Sequence, residues 1–228
     1  MSTRRVNTNT ESVDNYLKAI FALGGQEEER VTSNALAEHL GVAPASVTNM
    51  LQKLSASPTP FVEYESRRGV RLSAAGRRRA LEILRHHRLL ETFLYKVLDY
   101  PIEEVHDEAE RLEHFISERF EERIDVKLGR PKFDPHGHCI PALDGRMAKQ
   151  ASRALTEIEK EGEFVVDSVS DRDSTLLKKL KARGITPGAH LHVSMSTHDD
   201  FVLRTGGGSK PFRLPRSAAE AVRIRSTN

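Results

Sequence analysis

Apolar residues recur at helical spacing over residues 12–23, SVDNYLKAIFAL, where Val13, Tyr16, Leu17, Ile20 and Leu23 share one stripe. A second helix is expected over VTSNALAEHL, 31–40, with Thr32 or Ser33 as its N-cap. The break GVAP, 41–44, follows, and ASVTNMLQKLS, 45–55, opens a third helix with Val47, Met50, Leu51 and Leu54 inward. Its polar face keeps Ser46, Thr48, Asn49 and Lys53. Two short strands are expected at 61–64 and 70–72, around a turn carrying Arg67 and Arg68. Two helices joined by a Gly-containing turn, then a basic hairpin, make a winged helix-turn-helix. Small polar side chains suit base edges in the major groove, and wing arginines suit phosphates.

Beyond the hairpin the period stays helical. One long helix is expected over 76–99 and another from Ile102 through VHDEAERLEHFISERF, 105–120. A Pro- and Gly-rich stretch, 133–146, then gives way to strands and turns over 180–196 and 201–214. The expected class is mainly α with β, in three domains: 1–75, 76–148 and 149–228.

Charge supports that division. Residues 1–79 hold 11 Lys and Arg against 8 Asp and Glu; 80–145 hold 9 against 15; 146–228 hold 15 against 10. The basic ends and acidic middle imply different tasks. There is no run of about 18 apolar residues, no apolar leader segment and only one cysteine, Cys139. The expectation is a cytoplasmic protein with no membrane partner.

The acidic middle changes the picture most. VHDEAERLEH packs two histidines and four carboxylates into ten residues. On a helical wheel His106, Glu110, Glu113 and His114 cover about a quarter of the circumference. They border the apolar stripe of Val105, Ala109, Leu112 and Ile116, not the far side, where solvated charge belongs. Carboxylates crowded beside a core repel one another, and a divalent cation removes that penalty. Imidazole with carboxylate suits manganese, iron or zinc. Salt-bridging on an exposed helix would need basic partners, and Arg111 is the only one in the decapeptide. One turn apart on the preceding helix, His87 and Glu91 share a face. Cys139, in HGHC, is read as a buried or loop residue, because that spacing is too tight for all three side chains to reach one ion.

These segments resemble the diphtheria-toxin-repressor (DtxR/MntR) family of metal-dependent transcription factors. VAPASVTNMLQKL (42–54) looks like its recognition helix, which adds Pro44 and Ala45 to the DNA-contacting candidates. HHRLLETFL (86–94) and VHDEAERLEH look like its ligand segments, HGHCIPALDG (136–145) like the loop leaving its dimerisation domain, and 176–193 like its Src-homology-3-like, FeoA-like barrel. The resemblance implies a homodimer that binds a palindromic double-stranded operator when metal is present, and repression of metal-uptake genes. It implies a primary site of Glu110, Glu113, His114 and a first-helix residue, either Asn15 or Asp14. It implies an ancillary site of His87, Glu91 and His106, joined by Asp173 from the barrel and within reach of Asp134 and His136. The iron-sensing branch resembles this chain but carries Cys at the position of Glu110 and Met at that of Asn15. Oxygen donors there point to the manganese branch, with manganese(II) as the expected cofactor and iron(II) or another divalent metal as the alternative. The manganese branch carries Asp where Asn15 aligns, and SASPTP (55–60) adds about two residues before the wing.

Other classes are open to the same residues. An iron-dependent regulator of this family differs only in the ion. A carboxylate/His metallohydrolase could activate water, but no HExxH motif is present and the helix-turn-helix would have no role. A sensor of an organic ligand gives the Glu/His group no role, so no organic cofactor is expected.

Overall fold

The computed structural model describes residues 10–25, 29–148, 150–196, 200–206 and 210–227. They pack as two compact units. One takes the described residues up to 86 together with 113–116 and 141–146; the other takes 87–112, 117–140 and those from 147 on.

The first unit is built on α1 (Thr10–Gly24), α2 (Ser33–Leu40), α3 (Pro44–Ser55), β1 (Val62–Glu65), β2 (Gly69–Leu72) and the start of α4 (Ala74–Val97). Thr32 caps α2 by accepting from the Ala35 amide, satisfying a donor the helix leaves open. Gly41 ends α2 in the left-handed region, with φ 64°, which lets the chain turn within a few residues into α3. Pro44 fits the start of α3, where its missing N–H costs nothing. β1 and β2 pair antiparallel from Val62↔Leu72 to Glu65↔Gly69, and Val31 bridges to Val70. Leu17, Ile20, Leu36, Val47, Leu51 and Val70 lie at the centre of the resulting core. This is the winged helix-turn-helix that the apolar spacing predicts.

The second unit contains α5 (Val105–Leu112), α6 (Glu118–Lys127), α7 (Ser174–Ala182), the four-residue α8 (Arg216–Ala219) and a six-stranded antiparallel sheet. Its strands are β3 (Arg153–Ala154), β4 (Gly162–Val169), β5 (His190–Ser196), β6 (Asp200–Thr205), β7 (Phe212–Pro215) and β8 (Val222–Ser226), in the order β3-β8-β4-β5-β6-β7. Val166, Leu177, Leu180, Leu191, Phe201 and Ile224 fill the core between the sheet and α7.

Two expected elements differ. The helix expected to run from Ile102 through Phe120 is broken: α5 starts at Val105 and stops at Leu112, and Ser117 caps a separate α6 by accepting from the Phe120 amide. Glu113 and His114 therefore sit in a turn. Val105 and Ala109 are buried as the wheel predicts, but Leu112 is exposed. Residues 180–182, expected in the strand-and-turn region, instead finish α7. No helix among the described residues is long and apolar enough to cross a membrane.

Candidate metal centre and nucleic-acid interface

In the first unit, α1 delivers Asp14 to the imidazole of His114. Asp14 Oδ2 lies 3.3 Å from His114 Nδ1, and Glu113 Oε1 lies 3.3 Å from His114 Nε2. The ring thus stands between two buried carboxylates. The His86 Nδ1–H donates to the Glu113 carbonyl at 3.1 Å, fixing the turn. Each carboxylate also meets a cation of the chain. Arg79 forks onto Asp14 at 2.7 and 2.8 Å, and Lys18 Nζ lies 2.6 Å from Glu113 Oε1. Burial works to raise the Asp14 pKa, but hydrogen bonds to His114 and Arg79 and the Arg79 charge hold it below the usual carboxylate range.

The two first-helix candidates separate here. Asn15 is one residue on, about 100° round the helix, and lines a shallow depression with Tyr16, Leu40 and Val42. Its Oδ1 is buried without a hydrogen bond, whereas Asp14 Oδ2 faces the His114 ring. Glu110, expected with Glu113 and His114, is placed with its Oε2 3.5 Å from His87 Nδ1.

The second unit gathers a larger cluster round Glu91, which is wholly buried. Glu91 Oε1 lies 3.0 Å from His87 Nε2, 3.4 Å from His106 Nδ1 and 3.6 Å from His136 Nδ1. His87 Nε2 and His106 Nδ1 face each other at 3.1 Å. Asp171 Oδ2 completes the ring, 3.5 Å from His106, 3.7 Å from His138 and 4.0 Å from His136. Asp134 folds its loop by accepting from the His136 and His138 amides through Oδ1. Its Oδ2 turns toward His138 Nδ1 at 3.4 Å and Arg88 Nε at 3.5 Å. Gly137 permits this loop: its φ is +89°, and a Cβ there would meet the Asp167 carbonyl at 2.1 Å. The His136 Nε2–H donates to the Ile102 carbonyl at 3.0 Å, which turns Nδ1 into the cluster.

This donor set fits a metal ion. Donors about 2.1 Å from one octahedral ion stand about 3 Å apart. Two groups here have ligand atoms within 4.8 Å of one another: His87, Glu91, His106 and Asp171; and Asp134, His136 and His138. Glu91 Oε2, Asp134 Oδ2 and His136 Nδ1 are buried without a hydrogen bond, a cost that a bound cation would remove. Protons carry positive charge into the same space. Burial opposes the charged imidazoles, yet Asp171 and Glu91 push the His106 pKa to about 10, and Glu91 chiefly pushes His136 to about 9. Burial works to raise the Glu91 pKa, but His87, His106 and His136 hold it well below its usual range.

The barrel carboxylate differs from the expected one. Asp173 caps α7, accepting from the Leu176 amide at 2.9 Å, so its carboxylate is engaged in the helix end. Asp171, two residues earlier, faces the histidines. Asp171 and His138 carried no clear signal: one is an acidic residue in the loop SDRDS, the other belongs to an HGHC stretch whose spacing argues against joint use. Cys139 is buried with its Sγ toward the Ile140 carbonyl and is outside both donor groups.

The DNA-contacting candidates lie on α3 and at the wing. Pro44, Ala45, Ser46, Asn49 and Lys53 on α3 are exposed, whereas Thr48 is half-buried and donates to the Pro44 carbonyl at 3.2 Å. At the wing, Arg67 and Arg68 are exposed, and Arg68 lies 3.3 Å from Glu65.

Comparison with known proteins agrees with both regions. Residues 9–70 match the iron dependent repressor N-terminal DNA binding domain, 73–142 the iron dependent repressor metal binding and dimerisation domain, and 153–226 the FeoA domain. The chain is 30% identical over 234 residues to the iron-dependent repressor IdeR of Mycobacterium leprae, covering 96% of this chain and 99% of that protein. It is 33% identical over 115 residues to the HTH-type transcriptional regulator MntR of Bacillus pumilus, covering 50% of this chain and 77% of that protein. A solved manganese-dependent transcriptional repressor in complex with manganese superposes with a TM-score of 0.87 at 34% identity, covering 94% of this chain and 99% of the other. Members of this family are repressors and not enzymes, which sets the metallohydrolase reading aside. A DNA-reading helix-turn-helix, a dimerisation domain and carboxylate–imidazole clusters in one chain have a single explanation: the protein belongs to the diphtheria-toxin-repressor family of metal-dependent, DNA-binding transcriptional repressors.

Proposed function

We propose that the protein is a manganese(II)-responsive repressor of metal-uptake genes, acting in the cytoplasm as a homodimer on a palindromic operator. The observation that carries this is the meeting of Asp14 from α1 with Glu113 and His114 from the turn after α5, each carboxylate 3.3 Å from the shared imidazole. When bound there, a divalent cation supplies the charge that lets two buried carboxylates approach. Asp14 then ties the helix-turn-helix to the 113–114 turn and fixes the pose of α3. In a dimer, α3 helices held in one pose match half-sites about 34–36 Å apart. His87, Glu91, His106 and Asp171, with Asp134, His136 and His138, form the ancillary centre. Oxygen and imidazole donors without sulfur support manganese(II), with iron(II) as the second reading because several relatives are named for iron.

The test is an operator-binding titration with manganese, iron(II) and zinc beside a chelated control. Manganese is expected to give tight binding at the lowest free-ion concentration relative to cellular availability. Equal operator affinity in chelator would sink the proposal.

A further inference from the structure

Glu113 already carries a cation supplied by α1. Lys18 Nζ lies 2.6 Å from Glu113 Oε1, and that same oxygen is the one 3.3 Å from His114 Nε2. Glu113 is wholly buried, whereas the Lys18 side chain keeps 17% of its surface in water. Lys18 stands one helical turn after Asp14, so α1 offers a ligand and a cation from neighbouring positions on one face.

We propose that Lys18 is an internal competitor for the metal ion: its ammonium occupies the coordinating oxygen of Glu113 and must leave before that oxygen can bind a divalent cation. Lys18 thereby sets the metal concentration at which the protein responds. The inference rests on Asp14, Glu113 and His114 being ligands.

The charges leave little alternative. A metal–oxygen bond is about 2 Å long. An ammonium held 2.6 Å from the same oxygen would face the ion across a few ångströms, as a like charge in a buried setting. Lys18 is also the cation built to move. It is a point charge on a flexible stem that reaches solvent. Arg79, the counter-ion of Asp14, is held as a fork and has a second carboxylate, Glu82, at 2.9 Å. Arg79 is therefore held as a fork between two carboxylates, whereas Lys18 sits on a flexible stem that keeps 17% of its side-chain surface in water. Exchange of one ammonium for one divalent ion leaves Glu113 compensated in both states, so the buried carboxylate is never bare.

The experiment measures manganese(II) binding at fixed pH, reading free ion by its paramagnetic resonance signal, for wild type, Lys18→Met, Lys18→Gln and His114→Ala. Lys18→Met is expected to bind the same number of ions as wild type, with one class about tenfold tighter. Lys18→Gln, which can give Glu113 only a neutral hydrogen bond, follows the same direction at smaller amplitude and serves if Lys18→Met fails to fold. Thermal melts add a readout independent of DNA: the chelated Lys18 variants melt below wild type, and manganese raises their midpoints by more. Unchanged or weaker manganese affinity in both variants, with His114→Ala losing one class of site, overturns the competitor role alone. His114→Ala retaining every site overturns the ligand reading and this inference with it.

Discussion

At the scale of single residues, proximity to His114 decides between adjacent candidates. Asp14 faces the ring at 3.3 Å, whereas the buried Asn15 Oδ1 makes no hydrogen bond. Asp14→Asn keeps the shape but removes a charge, so manganese affinity and manganese-dependent operator binding are expected to fall by at least about tenfold. Asn15→Ala is expected to leave both nearly unchanged, and isothermal titration of the two variants decides between them. A large loss in Asn15→Ala with none in Asp14→Asn would reverse the assignment. On the candidate DNA face Asn49 is exposed, whereas Thr48 is half-buried and its hydroxyl proton goes to the Pro44 carbonyl. Asn49→Ala is expected to cost about 1–3 kcal/mol on the operator and little on random DNA. Equal losses on the two duplexes would assign Asn49 to the backbone instead.

At the scale of elements, Asp171 and Asp173 have separate duties although one residue lies between them. Asp173→Ala removes the cap of α7 and is expected to cost about 1 kcal/mol of stability, with manganese stoichiometry intact. Asp171→Asn is expected to weaken ancillary metal binding and leave the α7 cap in place. Denaturant unfolding in chelator and a metal count on each variant separate the effects; loss of ions in Asp173→Ala would restore it as the barrel ligand. The pair also marks how far sequence carries. Asp173 precedes the helix STLLKKLKA, where a carboxylate can serve as cap or ligand, and only the direction of the backbone chooses. The winged helix was legible because apolar period, Gly41 and Pro44 agree over short distances. His87, Glu91 and His106 were legible because helical spacing puts donors on a face. The end of α5 at Leu112 was not, because nothing in ERLEHFIS breaks a helix outright; Ser117 acts only once tertiary packing favours a new start. Lys18 and Arg79 were invisible for a related reason. Their partners are 95 and 65 positions away, and helical periodicity holds no information at that range.

At the scale of the whole molecule, protons and the metal compete for one pool of negative charge. With pKa values near 10 and 9, His106 and His136 are charged at neutral pH in the metal-free protein, and an imidazolium cannot ligate. If these imidazoles are ligands, metal binding there is expected to release protons and its affinity to rise with pH. Stability of the metal-free protein moves the other way. These histidines are raised in the folded state above the unfolded value of about 6.5. Their contribution is complete below that value and declines as pH climbs toward about 9 and 10. Chelated protein should accordingly melt at lower temperature at pH 9 than at pH 6.5, and saturating manganese should flatten or invert that trend. Calorimetric titration at pH 7, in buffers of different ionisation enthalpy, should register protons leaving as manganese enters. Operator DNA joins the same cycle: if manganese tightens operator binding, the operator must tighten manganese binding by the same factor. Adding operator to half-saturated protein should then draw in manganese and release further protons together. Manganese uptake without proton release would mean that the imidazoles of His106 and His136 are neutral before the ion arrives, or take no part in holding it.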